Sequence, residues 1–402
     1  MAWIESFEVH GLAGRAKPVK HTLNRNLNIF WGLNGAGKTT LLRILHAALN
    51  NETSVLEELP FERAQVVFRI GRNDIRVTRR FAKQEANDHE ESDEDGIFIS
   101  SEVSIDDFWV SEDVSDGSGW ETVVEQAPSS VPLGYFNRSF SHSYLPITRV
   151  VDGGRRAPRY QGDRKFSTDE IFVAQVRERW RDYSSKSLSR IREIQQQGLA
   201  TVLAILFGGT PNEHGSMFGV DDVEPSEAYQ LVRSFLSEQN IELRMERRAF
   251  LGKFRDSPEH RQVVAEIQTV KSETDDVLAP QKEFQSIIDS MYRGNKHLVL
   301  GGPRSPRTAY GASPIGVEIN ERSIPLKSLS SGEKQLLQIL LEVLSANSDS
   351  VIIDEPELSL HVNWQQQLVA SMRRINDDCQ LLLASHSPEI MAEVSDEHIF
   401  EL

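Results

Sequence analysis

The 402-residue sequence has a single cysteine, Cys379, and no long uninterrupted apolar run. One thiol excludes an internal disulfide framework and a cysteine metal cluster, and its place just before Leu381 predicts a buried structural role. Lys, Asp or Glu interrupts each candidate apolar run, which excludes a membrane span and a membrane partner. The N-terminus has no basic start followed by a long apolar stretch, so we expect a cytoplasmic protein.

Positive charge is scarce overall and absent from one long stretch. The net charge is −16, which argues against a globally basic nucleic-acid binder. Residues 85–125, named here the acidic segment, hold fifteen Asp and Glu and no Lys or Arg. We favour a solvated insertion for this segment, and an arm that binds a basic partner is the alternative.

A basic run follows the acidic segment. Eleven Arg and Lys residues lie between Arg155 and Arg192. Clustered cations bind phosphate backbones, so this run is a candidate surface for DNA or RNA. Pairing with the acidic segment and a solvated helical face are the alternatives, and the pattern does not decide among them.

Residues 32–40 match the spacing G-x-x-x-x-G-K-[ST] without a gap. The flanking patterns predict a buried strand before this phosphate loop and a helix after it. Such a loop cradles nucleotide phosphates, because glycines let backbone N–H groups turn toward one anion and the helix dipole attracts it. We predict that Lys38 reaches the β- and γ-phosphates of a nucleoside triphosphate and that Thr39 offers its hydroxyl to Mg²⁺. The other predicted nucleotide-binding residues of the loop are Gly32, Asn34, Gly35, Ala36, Gly37 and Thr40.

Two further apolar strands end in polar residues. Residues 350–355 form an apolar run that ends in Asp354 and Glu355, and residues 381–386 end in Ser385 and His386. Parallel strands bind ligands at the edge where their carboxyl ends meet. We therefore predict that Asp354 holds Mg²⁺ beside the phosphate loop and that Glu355 polarises the attacking water.

The sequence resembles the ABC-type ATPases in four segments, which occur in the same order as the motifs of that family. Residues 32–40, 329–335, 354–361 and 385–386 resemble the Walker A, signature, Walker B with D-loop, and histidine-switch motifs. Asn34 and Gly35 in the loop, with Glu333 after the signature glycine, look like the SMC, RecF and OLD branch. The motif set covers the first fifty residues and the last hundred.

The resemblance implies an α/β fold, namely an ABC-type P-loop ATPase head with an antiparallel β addition and an inserted helical lobe. It implies that Ser330 and Gly332 meet the γ-phosphate bound by a second copy, so that ATP lies between two chains. It also implies that His386 contacts the γ-phosphate. The Q-loop glutamine stays open between Gln161 and the segment 145–149.

The remaining patterns divide the chain. They predict a hairpin of strands over 64–70 and 74–80, and helical stretches over about 167–207, 226–248 and 258–292. The predicted domains are the N-terminal half of the ATPase head over 1–165, a helical insertion over 166–296, and the C-terminal half of the head over 297–402.

Two functional hypotheses follow from the resemblance. Residues 11–15, 144–146 and 357–361 look like the stand-alone ATPases of Septu, retron-associated and OLD-like anti-phage systems. The sequence stops about sixteen residues after His386, where OLD nucleases continue into a TOPRIM domain, so we expect a separately encoded nuclease or toxin as effector. The alternative is a RecF-like DNA-repair ATPase that clamps DNA. A transporter subunit is disfavoured, because nearly three hundred residues separate phosphate loop and signature.

Overall fold

The computed structural model of the chain describes residues 2–71, 75–83, 120–125, 134, 136–146, 167–207, 224–238, 241–301 and 315–402. They form two compact units. Unit 1 is Met1–Val173 with Leu326–Leu402, and unit 2 is Ala174–Pro325. The domain boundaries predicted above stay a prediction. Residues 85–119 of the acidic segment, the cations from Arg155 to Lys165, and Gln161 lie outside the described residues.

A parallel sheet forms the centre of unit 1. Its strands are β3 (Leu27–Trp31), β7 (His142–Leu145), β11 (Ser350–Asp354), β12 (Gln380–Ser385) and β13 (Ile399–Glu401). They lie in the order β13-β3-β12-β11-β7 and every neighbouring pair is parallel. The carboxyl ends of β3, β11 and β12 therefore meet at one edge. Every residue of β11 and β12 is buried, as expected of parallel strands covered on both faces.

An antiparallel sheet adds a second layer to unit 1. It holds β1 (Ala2–His10), β2 (Val19–Thr22), β4 (Arg63–Ile70), β5 (Ile75–Ala82) and β6 (Glu121–Glu125), in the order β2-β1-β4-β5-β6. The predicted hairpin is confirmed, because β4 and β5 are paired antiparallel strands, and Ile70 lies opposite Ile75 at one end of the pair. The predicted antiparallel addition to the head is this sheet.

Helix α1 (Lys38–Asn50) packs against both sheets through one shared core. Its apolar residues recur at the spacing of a helix and are fully buried, so the helix cannot shift without exposing them. Burial on both sides fixes the position of its N-terminus, where the phosphate loop ends. The core combines Leu41, Leu42, Leu45 and Leu49 of α1 with Phe7 and Phe68 of the antiparallel sheet and Phe30, Ile352 and Leu382 of the parallel sheet.

Arg79 of β5 holds the C-terminal end of α1. Its fully buried guanidinium donates to the carbonyl oxygens of Ala48, Leu49 (3.3 Å) and Phe136 (2.8 Å), and it lies 4.5 Å from the ring centre of Phe140. Burial lowers the pKa of Arg79 to about 10. The charge complements the negative end of the helix dipole, so α1 is anchored at the end away from the phosphate loop.

Three more helices complete unit 1: α6 (Ser331–Ser345), α7 (Val362–Ile375) and α8 (Pro388–Met391). Helix α6 packs against β11 and α7. Because strand side chains alternate between faces, Val351 and Ile353 point away from the side that α1 covers. Helix α6 begins within the segment 329–335 that resembles the signature. Helix α7 was not predicted.

Unit 2 contains helices and one small sheet. The helices are α2 (Thr168–Leu206), which begins in unit 1, α3 (Pro225–Glu238), α4 (Arg247–Asp256) and α5 (Pro258–Met291), and the antiparallel strands are β8 (Lys296–Leu300), β9 (Ile315–Ile319) and β10 (Arg322–Ile324). Although α2 and α5 hold 39 and 34 residues, no helix in the described part of the chain is long and apolar enough to cross a membrane.

The prediction of one helix over 226–248 is wrong. Helix α3 ends at Glu238, residues 241–246 are not helical, and α4 starts at Arg247. The physical reason is a tertiary contact, because Phe250 of α4 packs edge-to-face on Tyr229 of α3 with ring centres 5.6 Å apart. This contact requires the chain to turn back between the two helices, and packing outweighs local helix preference.

Candidate functional site

The phosphate loop joins β3 to α1 as predicted. Gly35 and Gly37 have φ angles of 86° and 95°, in the left-handed region that favours glycine. A side chain on Gly37 would also press on Leu12, whose Cγ lies 3.0 Å from an ideal Cβ position. Among the described residues, no atom outside Gly35 and its two chain neighbours lies within 4 Å of a Cβ position on Gly35, so the loop is open on that side. The sequence letters and the backbone therefore agree on an anion cradle.

Lys38, the first residue of α1, lies inside this loop. Its side chain is 6% exposed, and Nζ donates to the carbonyl oxygens of Gly32 at 2.7 Å and Leu33 at 3.1 Å. A buried ammonium needs such partners, because an unpaired charge is costly away from water. Thr39 and Thr40 are half-buried, and Asn34 is exposed. The loop therefore holds one preorganised positive charge under its backbone.

Asp354 lies at the same edge of the parallel sheet as the loop. Strand register places Asp354 beside Ala384 on β12, and Ala384 beside Phe30 on β3, one residue before the strand end. Asp354 is fully buried. Partial burial, followed by the nearby carboxyl group of Asp354, raises the pKa of the half-buried Tyr144. Asp354 thus places a buried carboxyl group two strands away from the phosphate loop.

Glu355 and His386 follow neighbouring strands and meet in space. Glu355 adopts φ of 48°, and its N–H donates to the carbonyl of Ala384 at 2.9 Å. His386 Nδ1 lies 3.5 Å from Oε1 of Glu355. The His386 side chain is 47% exposed, so a substrate can reach it. The two predicted catalytic residues are therefore adjacent at the carboxyl edge of the sheet.

The signature residues form the N-terminus of α6. Ser330 is the N-cap of a capping box, in which its hydroxyl accepts from the N–H of Glu333 and the Glu333 carboxylate accepts from the N–H of Ser330. A Cβ on Gly332 would lie 2.6 Å from the carbonyl oxygen of Ser359, so only glycine allows this approach. The helix N-terminus thus packs tightly against residues 355–361, which we name the D-loop.

Two family models match the chain. One, described as "AAA domain, putative AbiEii toxin, Type IV TA system", matches residues 234–392. The other, described as "AAA domain", matches residues 6–149. The second match contains the phosphate loop, and the first contains the signature, Asp354, Glu355 and His386. All the candidate site residues at the edge of the parallel sheet thus lie in segments that AAA-domain models match. The chain is an ATPase.

Curated relatives of this ATPase include two retron proteins. The retron Ec83 probable ATPase of Escherichia coli is 26% identical over 134 residues, which cover 30% of this chain and 24% of that protein. The retron Vc95 probable ATPase of Vibrio cholerae serotype O1 biovar El Tor is 31% identical over 93 residues, which cover 20% of this chain and 18% of that protein. The match thus spans a quarter or less of the length of these relatives.

The ATPase is also similar to solved SMC head domains. One is the Smc head domain with an extended coiled coil bound to the C-terminal domain of ScpA, derived from Pyrococcus furiosus, with a TM-score of 0.43, 12% identity, and coverage of 98% of this chain and 92% of that chain. The SMC head domain from Thermotoga maritima has a TM-score of 0.40, 11% identity, and coverage of 97% and 91%.

The sequence did not single out Glu357, although this carboxylate lies at the centre of the ATPase site. Glu357 is 5% exposed and gathers the residues that follow β12. Gln365 of α7 was also missed, and it bonds to the D-loop carbonyls. A second acid after the Asp354-Glu355 pair is the signal that could have indicated Glu357. The roles predicted for the site residues stay predictions.

A half-buried pair of histidines, His46 and His142, links α1 to β7. His142 Nδ1 donates to the carbonyl of Phe140 at 2.7 Å, so its Nε2 accepts from His46 Nδ1, also at 2.7 Å. His46 Nε2 then accepts from Asn50 at 3.3 Å. Both rings are satisfied only when neutral. Burial, followed by the nearby His142 and Arg43, lowers the pKa of His46 to about 3, and burial lowers the pKa of His142.

Acid is therefore expected to destabilise the ATPase through His46. The unfolded state takes up a proton as the pH falls below 6.5, whereas the folded state does so only near 3. The folded state thus keeps its full stability with respect to His46 above pH 6.5, and the free energy of unfolding decreases as the pH falls below that value. Between pH 7 and pH 5, His46 alone should reduce the free energy of unfolding by about 2 kcal/mol. Denaturant titrations at both values measure this change.

A matched pair of variants isolates this contribution. His46→Gln should lower the stability at pH 7, because it disturbs the pair, but should show a shallower loss between pH 7 and pH 5. His297→Gln removes a histidine that is 66% exposed and should leave the pH dependence unchanged. An equal pH dependence in His46→Gln and the parent would show that the pair is not held neutral.

Proposed function

We propose that this ATPase binds ATP between two copies of the chain and reports its ATP state to a separately encoded nuclease or toxin in prokaryotic anti-phage defence. The observation that carries the proposal is the signature end of α6. Its cap residue, Ser330, and the next residue, Ser331, are exposed, whereas Gly332 is buried against the D-loop. An exposed helix N-terminus attracts anions, so it can complete a phosphate site of another copy.

The retron relatives support the defence part of this proposal. They are retron-associated ATPases by name, and the matched part of this chain is an ATPase of the same kind. An ATPase that accompanies a retron needs a partner that acts on the invader, since ATP hydrolysis alone does not destroy nucleic acid. We therefore propose that the effector is encoded separately and that the nucleotide state of the dimer regulates the activity of that effector.

The residues present fit ATP and Mg²⁺. The loop offers backbone N–H groups around the open side of Gly35 and the buried ammonium of Lys38, which suit a triphosphate. Thr39 and Asp354 would hold Mg²⁺, because hydroxyl and carboxylate oxygens are the ligands this ion prefers. When bound, Mg²⁺ supplies charge neutralisation at the phosphates. Lys38 binds and orients the triphosphate at the same time.

Glu355 and His386 have separate roles in the proposed hydrolysis. The Glu355 carboxylate orients a water molecule and accepts its proton, for which it needs to be ionised and fixed. Its fixed backbone, tied to Ala384, provides that position. His386, half exposed beside it, contacts the γ-phosphate through its ring. Phosphoryl transfer needs mainly such positioning and charge compensation.

Replacing Ser330 by Arg tests the shared site. A long cation at the exposed cap would block the γ-phosphate of the other copy, so Ser330→Arg should abolish ATP-dependent dimerisation and hydrolysis while each copy still binds ATP. Light scattering of the purified protein with and without ATP measures the dimer, and a fluorescent ATP analogue measures binding.

A second variant serves as the control for losing the helix cap itself. Replacing a cap serine costs on the order of 1 kcal/mol of stability. Ser257 caps α5 in unit 2 by accepting from the N–H of His260, so Ser257→Arg removes a similar cap elsewhere. This control should still form ATP-dependent dimers. Dimerisation of Ser330→Arg at the parental ATP concentration would contradict the shared site.

Nucleic acid is a second proposed partner. In the described part of the basic run, Arg177, Arg181, Lys186, Arg190 and Arg192 are exposed on α2. An array of exposed cations on one helix suits a phosphate backbone. Salt-sensitive, ATP-dependent DNA binding by the purified chain alone would favour the RecF-like alternative, whereas co-purification with a nuclease or toxin from the native operon would favour the defence role.

A further inference from the structure

We propose that Glu357 is a positioning residue that holds His386 and the D-loop in one arrangement, and that its negative charge is required for hydrolysis but not for ATP binding. This inference rests on the proposed ATPase mechanism of the site. Its basis is a convergence of hydrogen bonds on one buried carboxylate oxygen.

One oxygen of Glu357 fixes the chain directly after β12. Oε1 accepts from the hydroxyl of Ser385 at 2.7 Å, the N–H of His386 at 2.9 Å and the N–H of Ser387 at 3.2 Å. Hydrogen bonds to an ionised acceptor are stronger than those between neutral groups. With the side chain 5% exposed, water competes little for these donors. Glu357 thus determines the backbone from which the switch histidine projects.

The same oxygen also faces the histidine ring. His386 Nδ1 lies 3.2 Å from Oε1 of Glu357 and 3.5 Å from Oε1 of Glu355. Ionised carboxylates only accept hydrogen bonds, so this pair favours a ring with its hydrogen on Nδ1. The orientation of the ring then follows from Glu357, and Nε2 is the nitrogen left for the substrate.

A second set of bonds ties the D-loop to the same place. Gln365 Nε2 donates to the carbonyls of Glu357 (3.3 Å) and Leu360 (3.0 Å), and Gln365 Oε1 accepts from the hydroxyl of Ser387 at 2.9 Å. The D-loop backbone needs this support. Glu355 and Ser359 adopt φ of 48° and 63°, which residues with side chains avoid. Displacing Glu357 would therefore release both the D-loop and the switch.

The other oxygen of Glu357 makes an amide variant informative. Oε2 is buried, and no hydrogen-bond partner for it is found among the described residues. In Glu357→Gln the oxygen can still accept from residues 385–387, but the new NH₂ group takes the place of Oε2 and the charge beside His386 is lost. In Glu357→Ala both the acceptor and the charge are lost. The two variants therefore separate geometry from charge.

Kinetics and binding test the charge. In Glu357→Gln, kcat should fall about tenfold or more, because the hydrogen bonds that hold His386 then go to a neutral acceptor instead of a charged one, whereas affinity for a fluorescent ATP analogue should change less than about threefold. Glu389→Gln is the matched control, because Glu389 accepts from Gln366 nearby without touching His386, and it should keep the parental kcat. A parental kcat in Glu357→Gln would overturn the proposal.

A double-mutant cycle tests whether Glu357 acts through His386. If it does, Glu357→Gln combined with His386→Ala should be no slower than His386→Ala alone. If the two losses in kcat multiply instead, Glu357 does not act through the histidine and the proposal is wrong. A merely structural role would not produce this non-additivity.

Hydrogen exchange tests the geometry without turnover. The amides of His386 and Ser387 should exchange at least about tenfold faster in Glu357→Ala than in the parent, and close to the parental rate in Glu357→Gln. Equal exchange in all three would overturn the proposed anchor. The proposed mechanism predicts that Glu355→Gln accumulates as an ATP-bound dimer. If it does so while the results expected for the Glu357 variants fail, only this inference is wrong. If Glu355→Gln hydrolyses ATP normally, the mechanism itself is wrong.

Discussion

Glu355→Gln is expected to lower ATP hydrolysis by roughly 10²–10⁴-fold, the range that general-base catalysis contributes. Glutamine has the same shape but cannot accept the proton of the attacking water. ATP binding should persist, so the variant should accumulate as an ATP-bound dimer with twice the mass of one chain. Single-turnover hydrolysis and light scattering in the presence of ATP measure the two effects.

Glu393→Gln provides the matched control for this result. Glu393 is exposed near the C-terminal end of the described chain and lies outside the parallel-sheet edge. The Glu393→Gln variant should hydrolyse ATP as the parent does and should not accumulate a stable dimer. If Glu355→Gln hydrolyses ATP at the parental rate, Glu355 does not orient the water.

Lys38→Ala is expected to weaken ATP binding by roughly 10²–10⁴-fold, because about two hydrogen bonds from a charged donor to the phosphates are lost. The change also removes the bonds from Nζ to the carbonyls of Gly32 and Leu33. The effect on hydrolysis at limiting ATP should be at least as large. Equilibrium titration with a fluorescent ATP analogue measures the affinity.

Folding must be monitored in this variant, because Lys38 is buried. The thermal midpoint of Lys38→Ala should stay close to that of the parent, since the alanine removes a charge from the interior. Lys20→Ala is the control, as Lys20 is 71% exposed on β2, in the antiparallel sheet. Tight ATP binding by a folded Lys38→Ala protein would contradict the assignment of the phosphate loop.

The elements that carry motifs were predictable, because local pattern and tertiary structure agree there. The strand before the loop, β3, is fully apolar apart from Asn28, and α1 follows with a clear helical period. The same agreement holds for β11 and α6. The break between α3 and α4 was not predictable, since the contact of Phe250 with Tyr229 that causes it joins residues 21 positions apart.

The site was predictable as a set of residues but not as a network. Asp354, Glu355 and His386 follow apolar strands, and strand order at a sheet edge brings them together. Glu357 follows no periodic pattern, and its partners, Ser385 to Ser387, lie 28 to 30 residues later in the sequence. Convergence on one oxygen depends on the path of the D-loop, which neither spacing nor composition shows.

The central claim is that each ATP lies between the phosphate loop of one copy and the signature of the other. The most direct test mixes a Lys38→Ala copy with a Ser330→Arg copy, each inactive alone, and measures ATP hydrolysis. A mixed dimer has one complete site, so the mixture should recover up to roughly a quarter of the parental rate. No recovery in a mixture of folded copies, or full activity of the Ser330→Arg copy alone, would contradict a shared site.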